Sequence, residues 1–398
     1  MIVPLCSETV SANGILPYIL TRASRQYPDY TALSAKLAEL YGASIYGETG
    51  KYGDTLVLKV VLTALDDRYT LDGTGVIKEC AELLCSLVFD PPVEQNRFRE
   101  EDTISEKRLL IERIESEIND KRKYAIRKAE SILFENEPYG ISKYGTVEGA
   151  KALTGESIYQ AWKHALKTAF FRINFIGESD PTAIFDTIKE NFTKTEREYT
   201  PLTAASVMKA PTAIKRSQEK MAVSQGKMVM GFRLNVEPDD DKAVAARVMT
   251  DIFGGGPYSR LFTNVREKLS LCYYCAARYT RQKGVLLVDS GIEEANKDKA
   301  EAEILAQLQV MKKGEFEDSE LAASKMAIID SAKTVSDSQG SIDAWFTDRL
   351  FEKNPLSPED FAMRVQSLTK EDIIEMANQV ELSTVYFLGG EGKDMVTE

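Results

Sequence analysis

The chain has 398 residues, of which 43% are hydrophobic and 28% are charged, and its formal net charge is −12. This length allows about two ordinary domains, and the residue balance is typical of a globular protein with a sizeable core. The acidic charge argues against nucleic acid as a partner, because a phosphate backbone requires a basic face.

The first half offers only Met1–Leu5 as an opening strand, whereas the second half has the strong strand pattern Lys227–Leu234. Either the chain is shortened at its start or the first sheet lacks a strand. Met1–Leu5 also lacks the basic and apolar regions of a signal peptide, and no apolar stretch reaches the length of a membrane span. We therefore expect a cytoplasmic protein without a membrane partner.

The stretch from Glu94 to Phe134 is strongly charged and carries a narrow apolar stripe at helical spacing. It is about 40 residues long, which exceeds the length of an ordinary globular helix. We predict a helix break near Asn119 and Asp120, with most of the charges on a solvated face.

His164 is the one histidine of the chain and lies in a helical pattern around Trp162. A catalytic zinc needs three protein ligands and a water molecule, so a single imidazole without a nearby partner does not make a metal site. We interpret His164 as a partly exposed helix residue.

Five cysteines form an odd and sparse set. Cys80 and Cys85 lie on a helical pattern. Cys272 and Cys275 form a C-x-x-C, but they fall in a predicted strand, where residues three apart face opposite sides. We interpret these cysteines as buried or incidental thiols rather than a metal or redox site.

Two pairs of segments repeat the same pattern. Residues 36–62 and 264–290 each pass from a helix end to a strand, a polar turn and a second apolar strand. Residues 151–178 and 366–391 each contain Leu-Thr, an amphipathic helix and an apolar strand, with Thr154 and Thr369 as helix N-caps. We predict an α+β fold of two homologous halves, each a mostly antiparallel sheet packed with helices.

The segment from Thr195 to Gln218 contains two prolines and has no clear periodicity, which is typical of a linker. We therefore predict an N-terminal domain over residues 1–198, a linker over 199–214 and a C-terminal domain over 215–398.

The run Gly254–Gly256 lacks the Lys-Ser/Thr of a phosphate-binding loop, so it predicts a tight turn before a helix. It opens the segment 253–274, FGGGPYSRLFTNVREKLSLCYY. This segment resembles the second-domain signature of the pitrilysin/insulinase family of zinc metallopeptidases, in which a Gly-rich turn precedes Ser-Arg-Leu, Arg-Glu-Lys and a strand tyrosine. The resemblance implies the fold of that family, which includes the mitochondrial processing peptidase.

In that family, His-x-x-Glu-His on a helix of the first half binds zinc with a distal Glu, and the motif Glu acts as a base. The matching stretch here is 18–22, Tyr-Ile-Leu-Thr-Arg. Tyr18 and Arg22 stand for the histidines, Thr21 stands for the base, and Arg113 falls at the distal Glu. We therefore expect no metal in this chain. The two arginines are either a cation pair in place of zinc or two surface residues.

Family members also place an Arg and a Tyr seven residues apart, where they hydrogen-bond the substrate carbonyl. Arg266 and Tyr273 match that pair. A guanidinium and a phenol can stabilise the oxyanion that forms as water attacks a peptide. The alternative is that Arg266 pairs with local acids and that Tyr273 is a core residue.

The resemblance implies a non-catalytic subunit of a heterodimeric metallopeptidase, which binds and orients peptide substrates for a zinc-bearing partner of similar size. Such a chain is not an independent peptidase, and we expect zinc only in the partner. Two alternatives remain open at this point. One is a non-enzymatic scaffold that forms a homodimer, and the other is an accessory protein of a protein-modification pathway.

Overall fold

A computed structural model describes residues 1–71, 73, 75–202 and 206–390. The chain divides into two compact units. Unit 1 comprises Met1–Ser116 and Glu137–Thr203, and unit 2 comprises Glu117–Asn136 and Ala204–Glu398. Unit 2 therefore includes a short segment that the sequence pattern groups with the N-terminal domain.

The elements are numbered in chain order. The helices are α1 (Val10–Leu20), α2 (Tyr30–Glu39), α3 (Val76–Phe89), α4 (Glu100–Asn119), α5 (Lys121–Leu133), α6 (Val147–Ala152), α7 (Gly155–Thr168), α8 (Thr182–Thr193), α9 (Lys242–Gly254), α10 (Lys297–Lys313), α11 (Asp318–Lys333), α12 (Gln339–Asp348), α13 (Pro358–Ser367) and α14 (Lys370–Asn378). The strands are β1 (Ile2–Pro4), β2 (Ser44–Tyr52), β3 (Thr55–Thr63), β4 (Val93–Glu94), β5 (Arg97–Phe98), β6 (Lys215–Met221), β7 (Gly226–Arg233), β8 (Cys272–Thr280), β9 (Val285–Ile292) and β10 (Glu381–Gly390).

The main sheet of unit 1 has the order β1-β3-β2, and both of its pairings are antiparallel. A tight turn joins β2 to β3, and Gly53 adopts a φ of 52° there, which glycine tolerates without strain. Helix α1 packs on both of these strands and on α7. The core that results is apolar and includes Ile15, Leu16, Leu56 and Leu58, all essentially inaccessible to solvent.

The sheet of unit 2 has the order β6-β10-β7-β9-β8. Its neighbours are antiparallel except for β6 and β10, which run parallel. Alternate residues of β7, such as Met228 and Met230, enter the core with helices α9, α10, α11, α13 and α14. Helix α5 packs on β7 and β10. The predicted α+β fold with mostly antiparallel sheets is confirmed.

Local sequence signals account for several helix ends. Helix α4 ends at Asn119 and α5 begins at Lys121, so the predicted break is confirmed. Asp120 produces it, because its carboxylate accepts hydrogen bonds from the first amides of α5. Thr154 and Thr369 cap α7 and α14 through their hydroxyl oxygens, as predicted.

The glycine run ends α9. Gly254 is its last residue and Gly255 its cap, and the turn leads into a π-helical segment, Leu261–Lys268. A Cβ on Gly254 would lie 2.7 Å from the backbone nitrogen of Ala277, so this close approach to β8 requires glycine. The predicted turn before a helix is confirmed. Among the described residues, no helix is both long and apolar enough to cross a membrane.

Candidate functional site

Thr21, which the family resemblance places at the position of the catalytic base, is the C-cap of α1. Its hydroxyl donates to the carbonyl oxygens of Pro17 and Tyr18, at 3.0 Å in each case. These carbonyls belong to the last turn of the helix, which lacks backbone donors of its own. The hydroxyl of Thr21 is therefore directed to its own helix and is not available as a base.

Arg22 lies beside two nearly buried carboxylates of α4. Its Nε donates to Asp102 at 2.9 Å and its Nη1 donates to Glu106 at 2.9 Å. Arg99 also donates to Asp102, at 2.8 Å. Burial acts to lower the pKa of Arg22, but the hydrogen bonds to Glu106 and Asp102 raise it overall. The charge of Arg22 is thus balanced by acids of its own unit.

Arg113 has different surroundings, although it lies on the same helix as these acids. Its guanidinium carbon is 3.8 Å from the ring centroid of Tyr18, a cation–π contact. Its Nη1 is buried and has no hydrogen-bond partner among the described residues. Arg22 and Arg113 therefore do not act as one cation pair, since acids surround the first and an aromatic ring covers the second.

Tyr18 and Tyr144 hydrogen-bond to each other through their hydroxyl oxygens, which are 3.1 Å apart. Burial, followed by this hydrogen bond, raises the pKa of Tyr18 to about 12, against the opposing charges of Arg113 and Lys143. The phenol of Tyr18 therefore stays protonated at neutral pH.

These residues do not fit a zinc ion. Catalytic zinc takes imidazole, thiolate or carboxylate ligands, whereas the guanidinium groups of Arg22 and Arg113 carry only hydrogen-bond donors and Thr21 is bonded to its helix. In the described parts of the chain, no group of three or more His, Cys, Asp or Glu side chains is arranged to hold a metal. His164 lies on α7, as predicted, and is exposed, which is more than the partial exposure that the sequence pattern suggested.

Arg266 lies near the end of the π-helical segment of unit 2, and its side chain is 40% exposed. Its guanidinium carbon is 4.5 Å from the ring centroid of Phe262, and its Nε is 3.5 Å from a carboxylate oxygen of Glu267. The expected pairing with a local acid is therefore present, and the side chain is also open to solvent.

Tyr273 is 60% exposed, so its interpretation as a core residue is wrong. Its hydroxyl donates to Glu293 at 3.3 Å. A substrate-binding role for Arg266 and Tyr273 stays a prediction, because each side chain contacts an acid in its own vicinity.

The C-x-x-C segment corrects one expectation. Cys272 pairs with Ile292 and Cys275 pairs with Ser290, so two steps along β9 oppose three steps along β8. This bulge at Tyr273 breaks the alternation of a regular strand. Both cysteines therefore face the core, at 8% and 5% exposure, and do not face opposite sides. The same bulge directs the ring of Tyr273 outwards.

The two thiols influence each other. A hydrogen bond from Cys275, with a smaller contribution from the charge of Arg266, lowers the pKa of Cys272. The same hydrogen bond and burial raise the pKa of Cys275. Arg266 therefore affects the electrostatics at the start of β8, although it belongs to the preceding segment.

Sequence reasoning missed four residues of unit 1 that complete these surroundings. Asp102 and Glu106 are four residues apart and share the face of α4 that carries Arg113. This helical spacing in the sequence could have indicated that the three side chains lie on one face. Lys143 and Tyr144 come from a loop that is distant in sequence. No spacing rule connects that loop to α1, so only the fold brings them to Tyr18.

Comparisons with known proteins show the family to which the chain belongs. Residues 152–328 match the family described as "Peptidase M16 inactive domain". The "Probable inactive metalloprotease YmfF" of Bacillus subtilis is 30% identical over 390 residues, which cover 98% of this chain and 91% of that protein.

Solved structures show the same fold. A conserved protein from Enterococcus faecalis V583 superposes with a TM-score of 0.91 at 25% identity, covering 99% of this chain and 92% of that one. A peptidase M16 inactive domain from Pseudomonas fluorescens gives a TM-score of 0.75 at 18% identity, covering 98% and 92%. The chain therefore belongs to the M16, or pitrilysin/insulinase, family of metallopeptidases, as an inactive member.

Proposed function

We propose that this chain is the non-catalytic subunit of a cytoplasmic heterodimeric M16 peptidase. It binds and orients flexible peptides for a partner of similar size, and that partner carries the zinc ion. In this role the chain needs no cofactor of its own, and neither nucleic acid nor a membrane takes part.

One observation carries the proposal. The residues at the metal position do not fit zinc, whereas Arg266 and Tyr273, which match the substrate-binding pair of the family, both have side chains open to solvent. A guanidinium and a phenol can donate hydrogen bonds to a carbonyl oxygen that gains negative charge during hydrolysis. They would assist a reaction whose metal lies in another chain.

The test mixes the purified chain with a family member of similar length from the same organism that carries His-x-x-Glu-His. Native mass spectrometry measures association, and a fluorogenic unstructured peptide measures cleavage. We expect a one-to-one complex that cleaves the peptide faster than the zinc-bearing chain alone. Arg266→Ala or Tyr273→Phe should lower kcat/KM of the complex by about a hundredfold to a thousandfold, since one oxyanion donor contributes on that order.

Lys268→Ala is the matched control, because Lys268 lies exposed on the same π-helical segment as Arg266. This variant should leave cleavage unchanged, and all three variants should still assemble. If the chain neither associates nor changes cleavage, the proposal fails. A stable homodimer would then favour the scaffold, and capture of a partner that is not a peptidase would favour the accessory protein.

A further inference from the structure

Four side chains of unit 1 meet where α1, α4 and the loop before α6 come together. Arg113 stacks on the ring of Tyr18 at 3.8 Å, and Tyr18 hydrogen-bonds to Tyr144. Lys143 lies with its ammonium 4.8 Å from the ring centroid of Tyr144 and contributes to the electrostatic field at Tyr18. The four residues are Tyr18, Arg113, Lys143 and Tyr144, and we call them the Tyr18 cluster.

The charges of the Tyr18 cluster are not balanced. Arg22 has two carboxylates at hydrogen-bond distance, whereas neither Arg113 nor Lys143 forms an ion pair among the described residues. One guanidinium nitrogen of Arg113 is withdrawn from water and unbonded. A buried donor without a partner is costly, and the cost is removed when an acceptor binds.

The phenols supply a further donor. Two hydroxyl protons are present, and the hydrogen bond between Tyr18 and Tyr144 uses only one of them. The second proton is free to point at a bound acceptor. Burial raises the pKa of Tyr18 to about 12, so the Tyr18 hydroxyl keeps its proton at neutral pH.

We propose that the Tyr18 cluster is an anion-binding site that takes a carboxylate of a flexible peptide. The planar guanidinium of Arg113 matches the two oxygens of a carboxylate, and the ammonium of Lys143 adds a second positive charge. A cation such as zinc would be repelled by the same two groups. The position that carries a metal ligand elsewhere in the family has thus become a site for the opposite charge.

This inference rests on the proposed function and names its substrate class, namely peptides with a carboxylate. Binding of such a peptide to the chain alone does not require the zinc-bearing partner. The carboxylate has two possible sources, an acidic side chain and the peptide C-terminus. Both present the same two oxygens to Arg113, so the experiment must distinguish them.

The test measures binding of one fluorescent unstructured peptide to the full chain by anisotropy, in four forms. The peptide carries either Glu or Gln at its internal positions, and its C-terminus is either free or amidated. The form without any carboxylate should bind at least about tenfold more weakly than the tightest form, since each tenfold step corresponds to about 1.4 kcal/mol. If amidation removes binding the source is the C-terminus, and if the Glu-to-Gln change removes it the source is a side chain.

Arg113→Gln and Lys143→Gln should each weaken binding of the acidic peptide by about tenfold, and Tyr18→Phe by less. The matched control is Arg108→Gln, because the side chain of Arg108 lies on the same helix at 69% exposure and should not affect binding. Lys143 lies in a loop, so its variant tests the site even if Arg113→Gln lowers the melting temperature. Binding should also weaken as salt rises.

Equal binding of the four peptides would overturn the inference. The inference would also fail if none of the four peptides bound. Equal effects of Arg113→Gln, Lys143→Gln and Arg108→Gln would overturn it as well. Each result would leave the heterodimer experiment unaffected. Conversely, failure to associate with a zinc-bearing chain would reject the proposed function without touching carboxylate binding by the chain alone.

Discussion

Arg22 and Arg113, which the family resemblance places at two metal-ligand positions, have different surroundings in the structure. The side chains of Asp102 and Glu106 beside Arg22 are only 10% and 6% exposed. Carboxylates withdrawn from water need a positive partner or a hydrogen-bond donor. Arg22 therefore acts as a structural counter-charge in unit 1, whereas Arg113 has no ion-pair partner among the described residues.

Arg22→Met should lower the free energy of unfolding by about 2–3 kcal/mol. Removal of one partner of a buried ion pair costs about 3–5 kcal/mol, and the 35% exposure of Arg22 reduces this value. Glu106 should account for most of the loss, because Asp102 keeps its contact with Arg99. Chemical denaturation followed by circular dichroism measures the change.

Arg25→Met is the control for that prediction. Arg25 pairs with Asp90, and both side chains are more than half exposed, so the loss should stay within about 1 kcal/mol. Adding Glu106→Gln to Arg22→Met should restore part of the stability, because it removes the unpaired charge. Equal losses for Arg22→Met and Arg25→Met would contradict the structural role of Arg22.

Cys275→Ala should raise the pKa of Cys272. The thiol of Cys275 donates the hydrogen bond that holds the Cys272 thiolate at a lowered pKa, and alanine cannot replace that donor. The pH dependence of alkylation, read by mass spectrometry, should shift to higher pH for Cys272. Cys85→Ala, on a different element, should leave that profile unchanged. A shift to lower pH after Cys275→Ala would refute the assigned direction of the hydrogen bond.

At the scale of elements, the sequence predicts helix caps, but it does not predict the register between paired strands. The caps at Asp120, Thr154 and Thr369 depend on the few residues that follow them, so the sequence pattern finds them. The bulge in β8 depends on its pairing with β9, and a strand pattern alone does not contain that information. The bulge nevertheless decides which way Cys275 and Tyr273 face.

The candidate site likewise contains residues that the sequence predicts and residues that only the fold brings together. The positions of Tyr18, Thr21, Arg22 and Arg113 follow from a motif spacing and from its distance to a later helix. Tyr144 approaches Tyr18 only because the loop before α6 folds back onto α1. A contact of this kind requires the tertiary structure, so the sequence gives no reason to combine Lys143 and Tyr144 with Arg113.

Gly47→Ala should destabilise unit 1 by about 1–3 kcal/mol, a typical cost of overpacking. A Cβ on Gly47 of β2 would collide with the carbonyl of Pro17 in α1, so the helix would have to move away from the strand. That movement should also disturb the contact between Tyr18 and Tyr144. Thermal denaturation measures the first effect, and the absorbance titration of the tyrosines measures the second.

Gly340→Ala is the control, and it should change the stability in the opposite direction. Gly340 lies in α12, and a Cβ there meets no atom within 4 Å. Alanine should therefore stabilise the helix by about 0.5–1 kcal/mol, because it lowers the conformational entropy lost on folding. If both substitutions change the melting temperature in the same direction, close packing of α1 on β2 is not the cause.

At the scale of the whole molecule, helix α5 belongs to the first half of the sequence but packs in unit 2. The two halves of the sequence suggest a division near residue 198, but α5 packs on the sheet of unit 2. Tyr124 of this helix donates to Glu219, and Arg122 pairs with the buried Asp289 of β9. Helix α5 thus covers β7 and β10 with a segment that comes from the other half of the chain.

Ala129→Asp tests this assignment. Ala129 lies on α5 with no solvent exposure, so an aspartate there would place a charge against the covered sheet, at a cost on the order of 3 kcal/mol or more. Hydrogen exchange should show lost amide protection in β7 and β10 of unit 2, with smaller changes in β3 of unit 1. Ser131→Asp is the control, because Ser131 is exposed on the same helix and should leave both sheets protected. If protection is lost mainly in β3, α5 belongs with unit 1, and the division of the chain follows the sequence halves after all.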